Sequence, residues 1–248
     1  MIVLEDGQAR RFLAGDAAEL GARPRAILVA SAHWETAEPR LTASPAPETI
    51  HDFGGFPDAL HRMRYPAPGD PALARRACDL LGAAGFPAAL DPRRGLDHGT
   101  WVPLSLIYPA ADIPVVQLSL QTHLGAEHHY RMGVALRPLR DEGVLVVGSG
   151  SLTHNLMALR RDGGDHLAPP AWVSAFDQWV ADAVAARDVA ALLAWERQGP
   201  YAQQNHPSDE HFLPLFVALG AGAPEASGVR IHHSHTYGAL AMDAYAFP

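Results

Sequence analysis

The chain is predicted to be an α/β protein: a central, mostly buried mixed β-sheet flanked by helices. Three observations predict it. Short continuous apolar runs have the length and composition of buried strands, segments between them carry apolar residues at helical spacing, and the runs end in small residues and histidines rather than in hairpin turns.

The first run, AILVA at 26–30, follows Pro24 and passes into SAHW, with His33 at its end. The segment 42–70 is rich in Pro and Gly and has little periodicity; a loop of that length inside a domain is functional or disordered, and its Phe53, Phe56 and Tyr65 favour an ordered loop covering a site. PALARRACDLLGAAG then reads as a helix, with Cys78 on its apolar face. Residues 114–120, PVVQLSL, form the second strand. GAEHHYRMGVALRPLRDEG is helical, and VLVVGSGSLTHN at 144–155 is a third strand running into a loop. PAWVSAFDQWVADAVAARDVAALLAWERQ supplies further helices. Ser208 is a candidate N-cap, placing Asp209, Glu210 and His211 in the first turn of a last helix. In RIHHSHTYGALAMDAYAF the histidines alternate like strand residues, so His233 and His235 share a face, and with Tyr237 they would line a pocket. With no internal repeat and no linker, 1–248 is expected to be one catalytic domain.

Composition removes several function classes. The 48% hydrophobic and 19% charged residues suit a folded globular chain, and a net charge of -8 argues against nucleic acid as the main partner. One cysteine leaves no disulfide framework and no thiolate metal site. No apolar run reaches the roughly 20 residues needed to span a bilayer, and the N-terminus lacks the basic-then-apolar order of a signal peptide, so a cytoplasmic location without membrane association is expected. Arginine supplies all 19 positive charges, and 14 residues are histidine. A GC-rich genome accounts for missing lysine but not for the histidines.

The histidines divide by context. His33 and His154 lie beyond the carboxyl ends of strands, where α/β sheets bind ligands. Gly148, Ser149 and Gly150 before His154 would let the backbone approach a ligand. His51 and Asp52 sit in TIHDFGGFP, either pointing into a pocket or forming a turn-stabilising contact. His98, in LDHG, is either a substrate contact or a structural loop histidine, with Asp97 a weak candidate for orienting it. His211 would project from a helix end, whereas His206 is expected to be peripheral. His61, His123, His128, His129 and His166 receive no role. HExxH, the deaminase signature, G-x-S-x-G and the Walker loop are all missing, which leaves dispersed imidazoles suited to Zn, Fe, Cu or Ni.

SAHW, TIHDFGGFP, YPAPGDPALA, LDHGTWVPL, the VQLSL strand, GS-x-x-x-THNL, HP-x-x-EHFLPL and the closing YGALAMDAYAF occur in register from one end of the chain to the other. Together they resemble the LigB-type extradiol ring-cleavage dioxygenases, most closely the DOPA 4,5-dioxygenase-like subgroup. The resemblance implies a small catecholic substrate, O2, and Fe(II), with Zn(II) found in some members; whether the chain forms a homo-oligomer stays open. It implies that His33 and His211 are metal ligands. His154 is implied to be an acid/base group or an additional metal contact, His98 a catalytic contact to substrate or oxygen, and His51 a substrate-side loop residue. Members usually open with a strand and a G-H-G-S-P motif that carries the first metal ligand, and this sequence starts after the corresponding point. Besides ring opening, a metal- or ligand-binding homologue without oxygenase activity and a zinc-dependent hydrolase therefore stand as alternatives.

Overall fold

The computed structural model of the chain describes residues 2–15, 21–160 and 164–248. Met1, on which the expectation of a missing opening motif falls, lies outside the described residues.

The sheet is built from β1 (Ala26–Glu35), β2 (Arg40–Thr42), β3 (Ala89–Asp91), β4 (Val115–Leu120) and β5 (Val144–Ser149), in the order β3-β2-β4-β1-β5. β1 runs parallel to β4 and β5, β2 runs parallel to β3, and β2 meets β4 antiparallel, so the sheet is mixed. Around it, in chain order, stand α1 (Gln8–Ala14), α2 (Asp58–Arg62), α3 (Pro71–Ala83), α4 (His98–Ile107), α5 (Gly125–Leu136) and α6 (Pro138–Asp141). They are followed by α7 (Ala171–Ala185), α8 (Val189–Leu193), α9 (Trp195–Gln198), α10 (Ala202–Asn205) and α11 (Leu213–Ala221).

β1 is buried on both faces, which is why its sequence is continuously apolar rather than alternating. Ala26, Leu28 and Ala30 join the core formed with α3, α5 and α11; Ile27 and Val29 join a second core with Trp101, Val102 and Leu104 of α4. Each fully buried aliphatic side chain there contributes about 1.5–3 kcal/mol. β5 closes one side of the sheet and is half covered, with Leu145 40% exposed. Cys78 is half-buried on α3, and its Sγ donates to the Ala88 carbonyl at 3.2 Å.

Local chemistry sets the helix ends. Asp70 accepts from the amides of Ala72 and Leu73 at 3.1 and 2.9 Å and starts α3; Asp97 accepts from Thr100 N at 3.2 Å and starts α4. The 42–70 segment is ordered by its own bonds. Ile50 N donates to Leu96 O, and Leu96 N to Glu48 O, both at 2.8 Å. Trp101 Nε1 donates to Ile50 O at 2.8 Å, and Tyr65, 2% exposed, is anchored by its amide to Thr49 Oγ1.

One local expectation is corrected, and a second holds with an interruption. The last helix does not start from a Ser208 cap: Ser208 Oγ instead contacts Glu210 Oε1 at 3.1 Å, and the Asp209 carbonyl accepts from Phe212 N and Leu213 N before α11 begins at Leu213. The HHSH stretch is interrupted as a strand but keeps its register. β6 (Val229–His232) pairs antiparallel with β9 (Ala244–Ala246) and β7 (His235–Thr236) with β8 (Leu240–Ala241), and Met242 N donates to Ser234 O at 2.8 Å between the two ladders, so His233 and His235 stay on one side, against Asp177.

Candidate metal centre

Four imidazoles meet beyond the carboxyl end of β1. His33 lies near the end of β1, His98 is the first residue of α4, His154 follows β5, and His211 lies just before α11. The ring centroids of His33 and His98 are 3.9 Å apart, those of His33 and His211 4.9 Å at an interplanar angle of 81°, and those of His154 and His211 3.4 Å at 13°.

Backbone packing places each ring. β1 and β5 are paired in parallel with Ser31 opposite Ser149, so the segments carrying His33 and His154 leave the sheet at the same end. A Cβ on Gly148 would lie 2.2 Å from Pro214 O, and one on Gly150 2.1 Å from His211 O. Ser151 N donates to His211 O at 2.8 Å. These small residues thus admit the backbone leading into α11 rather than the ligand expected from the sequence. At the other wall, a Cβ on Gly99 would fall 2.9 Å from His33 Cδ2, so glycine in the first turn of α4 lets the His33 ring lie against the helix end. His154 N donates to Asn205 O at 2.9 Å.

Two carboxylates orient the rings. Asp52 accepts from the His98 amide through Oδ1 at 2.9 Å, and its Oδ2 lies 3.0 Å from His98 Nδ1 and 3.9 Å from His33 Nδ1. Glu210 Oε1 lies 2.9 Å from His211 Nδ1. A carboxylate facing Nδ1 favours the proton there and leaves the Nε2 lone pair free for an ion or a proton. Burial would raise the Asp52 carboxyl, but its bonds to the His98 side chain and amide outweigh this and hold it down to about 2. The His211 contact, against an opposing effect of burial, likewise brings Glu210 down to about 2. Burial first, then the neighbouring imidazoles, pushes His33 down to about 3; burial and then His211 push His154 down to about 4. Beneath the rings, the wholly buried Asp97 accepts from Ser31 Oγ at 2.7 Å and from Gln117 Nε2, and the same Ser31 Oγ accepts from His33 N at 3.2 Å.

The remaining residues singled out in the sequence fall into two places. His51 lies beside the group: its Nε2 is 2.9 Å from Met63 O, and its ring is 5.7 Å from Phe53, which itself packs edge-on to His98 at 5.4 Å. His233 and His235 converge on Asp177 of α7, and Tyr237 donates its hydroxyl to Glu5. His206 is not peripheral. It is 3% exposed, stacks on Phe212, and its Nε2 is 2.8 Å from Leu152 O. Sequence reasoning missed Glu210 and passed over Asp52 as a partner for His98. His51, His98 and His211 each have an acidic neighbour in sequence; of these pairs, Glu210–His211 also meets in space, while Asp97 caps α4 and Asp52 serves the ring of a histidine 46 residues away.

A family model described as the catalytic LigB subunit of aromatic ring-opening dioxygenase matches residues 10–248. The chain belongs to this family. It is 46% identical over 226 residues to a protein of Beta vulgaris named 4,5-DOPA dioxygenase extradiol, an alignment covering 91% of this chain and 83% of that one. A Portulaca grandiflora protein of the same name is 42% identical, covering 100% and 91%. One from Escherichia coli K12 is 44% identical, covering 80% and 73%. The crystal structure of an uncharacterized Escherichia coli K12 protein superposes with a TM-score of 0.79 at 33% identity, covering 97% of this chain and 92% of that one. LigB-type dioxygenases depend on a metal ion, and the donor set here fits one: clustered imidazoles, of which burial keeps His33 and His154 neutral, with the Asp52 and Glu210 carboxylates beside them. Among the described residues, no helix is long and apolar enough to cross a membrane.

Proposed function

We propose that the chain, as one catalytic domain, opens the ring of a small DOPA-like catechol with O2, next to rather than between the two hydroxyls, using Fe(II). The single observation that carries this is the clustering of His33, His98, His154 and His211, with Asp52 and Glu210 beside them, at the carboxyl ends of the parallel strands β1 and β5 in a LigB-type chain.

His33 and His211, whose ring centroids lie 4.9 Å apart, would hold the ion. Bound there, a divalent ion supplies a template and a charge sink for the catechol and O2. His154 lies flat against His211 at 3.4 Å, an arrangement that keeps their lone pairs in parallel planes. His154 serves as the proton carrier, neutral above about pH 4 and free to accept from a catechol hydroxyl. His98, fixed by Asp52, contacts the substrate or oxygen side, and His51 stands behind Phe53 on the loop over it.

The candidate ligand atoms fall into two groups, His33–Asp52–His98 and His154–Glu210–His211, neither of which joins His33 to His211, and this also favours a second reading, a metal-binding homologue without oxygenase activity. One experiment separates them. The protein is loaded anaerobically with Fe(II), mixed with DOPA and exposed to oxygen. A yellow ring-opened product supports the dioxygenase, whereas bound iron with no product supports the non-oxygenase homologue and defeats the proposal.

A further inference from the structure

A second set of metal-capable side chains lies where the C-terminal ribbons meet α7, and the ring-opening proposal does not use it. Asp177, 3% exposed on α7, directs Oδ2 at two histidines on either side of Ser234. Oδ2 is 3.2 Å from His235 Nε2 and 3.4 Å from His233 Nδ1, and all three atoms lie within 4.8 Å of one another. The two imidazole planes are perpendicular, at 89°.

These spacings suit an ion better than hydrogen bonds. Donors held about 2.0–2.1 Å from a tetrahedral zinc are themselves about 3.3 Å apart, from the geometry of the tetrahedron. His235 Nε2 is buried without a hydrogen-bond partner despite its 3.2 Å approach to the carboxylate, so the pair has the distance of a bond but not its direction. Asp243, its side chain wholly buried, lines the same place: Oδ1 lies 3.0 Å from His233 Nδ1, a contact that His233 gives up, with its proton, to ligate through that atom, and Oδ2 has no partner. Arg230 Nη1 reaches Oδ1 of both carboxylates, at 3.2 Å from Asp177 and 3.4 Å from Asp243, and lies 3.4 Å from His233 Nδ1, so an ion displaces it from the histidine while the two Oδ2 atoms stay unclaimed by it. With neutral imidazoles, two carboxylates against one guanidinium leave a net negative charge. His233, 46% exposed, opens the group to solvent, giving an ion an entry path and a water for its fourth position.

We propose that Asp177, His233 and His235 bind a zinc-class divalent cation that fastens the C-terminal ribbons to α7. The cation would add to the Arg230–Asp177 contact in holding the β6–β7 segment to α7. The site is independent of the ring-opening centre and takes His233 and His235 out of the substrate wall.

The test is zinc binding by chelator-stripped protein, followed by titration calorimetry and metal counting. A His33→Ala/His211→Ala variant removes uptake at the first group and should still bind zinc. Adding His235→Ala should weaken that binding by at least the roughly 100-fold that loss of supporting residues alone reaches at metal sites. A parent variant that binds no zinc, or equal affinity with and without His235, overturns the proposal. If circular dichroism shows the double variant unfolded, the comparison is made in the native chain with His233→Ala, at the exposed ligand, where a loss of zinc stoichiometry supports the site. Unchanged stoichiometry, with a shifted KM for catechol instead, would place His233 on the substrate wall and overturn it.

Discussion

Asp52 grips His98 at two points, accepting its backbone amide through Oδ1 at 2.9 Å and facing its Nδ1 through Oδ2 at 3.0 Å. The carboxylate comes from a loop and the histidine from the first turn of α4, whose cap is Asp97, so Asp52 ties the loop to the helix start and sets its charge beside the ring.

Asp52→Asn keeps an oxygen for the amide but removes the charge facing the imidazole. Ring opening should slow by about 10–100-fold while bound metal stays unchanged. Steady-state kinetics with metal analysis checks this; loss of metal with unchanged turnover per bound ion would mean that Asp52 acts on the ligand set instead.

Gly150→Ala should displace His211. The added Cβ would sit 2.1 Å from His211 O, a backbone atom that cannot swing away. A cost of about 1–3 kcal/mol is expected, as for other overpacked positions, together with weaker metal binding. Urea unfolding and metal titration measure the two effects. Native stability would show that the lead-in to α11 is looser than its contacts indicate.

His129 should make the fold sensitive to acid. Its Nδ1 donates to Gly125 O at 2.6 Å and its Nε2 accepts from Gln121 N at 3.1 Å, an arrangement open only to the neutral ring. Burial, then the neighbouring imidazoles, outweigh the Gly125 bond and push its pKa down to about 4 from an ordinary 6.5. The unfolded chain therefore binds the extra proton first: stability from this group is intact above about pH 6.5 and is lost as pH falls toward 4, by up to about 3 kcal/mol. Denaturant unfolding from pH 7 to 4 should show that slope, and His129→Gln should flatten part of it. A slope identical in the variant would assign the acid sensitivity to His33, His154 and His206, which burial also depresses.

The central strands were legible because β1 and β4 are buried on both faces, so apolar runs such as AILVA announce themselves. The histidines at the strand ends were legible for the same reason, since the run marks where the strand stops. What the sequence concealed is pairing across distance. Asp97 stands beside His98 in the chain, but its carboxylate is spent on Thr100 N and Ser31, leaving the ring to Asp52. Ser208 has the identity of an N-cap, yet it turns to Glu210 and the helix waits for Leu213. Gly148 and Gly150 looked like room for a ligand, and the space is filled by the carbonyls of Pro214 and His211. In each case local chemistry was read correctly as a capacity, while tertiary packing decided which neighbour used it.

The central claim is that His33 and His211 hold the iron that ring opening needs. Its most direct test is anaerobic Fe(II) titration of the native chain, His33→Ala and His211→Ala, followed by oxygen and DOPA. Each variant should bind iron at this centre at least about 100-fold more weakly and form no yellow product, while the native chain does both. Variants that open the ring at the native rate and hold iron as tightly as the native chain would contradict it.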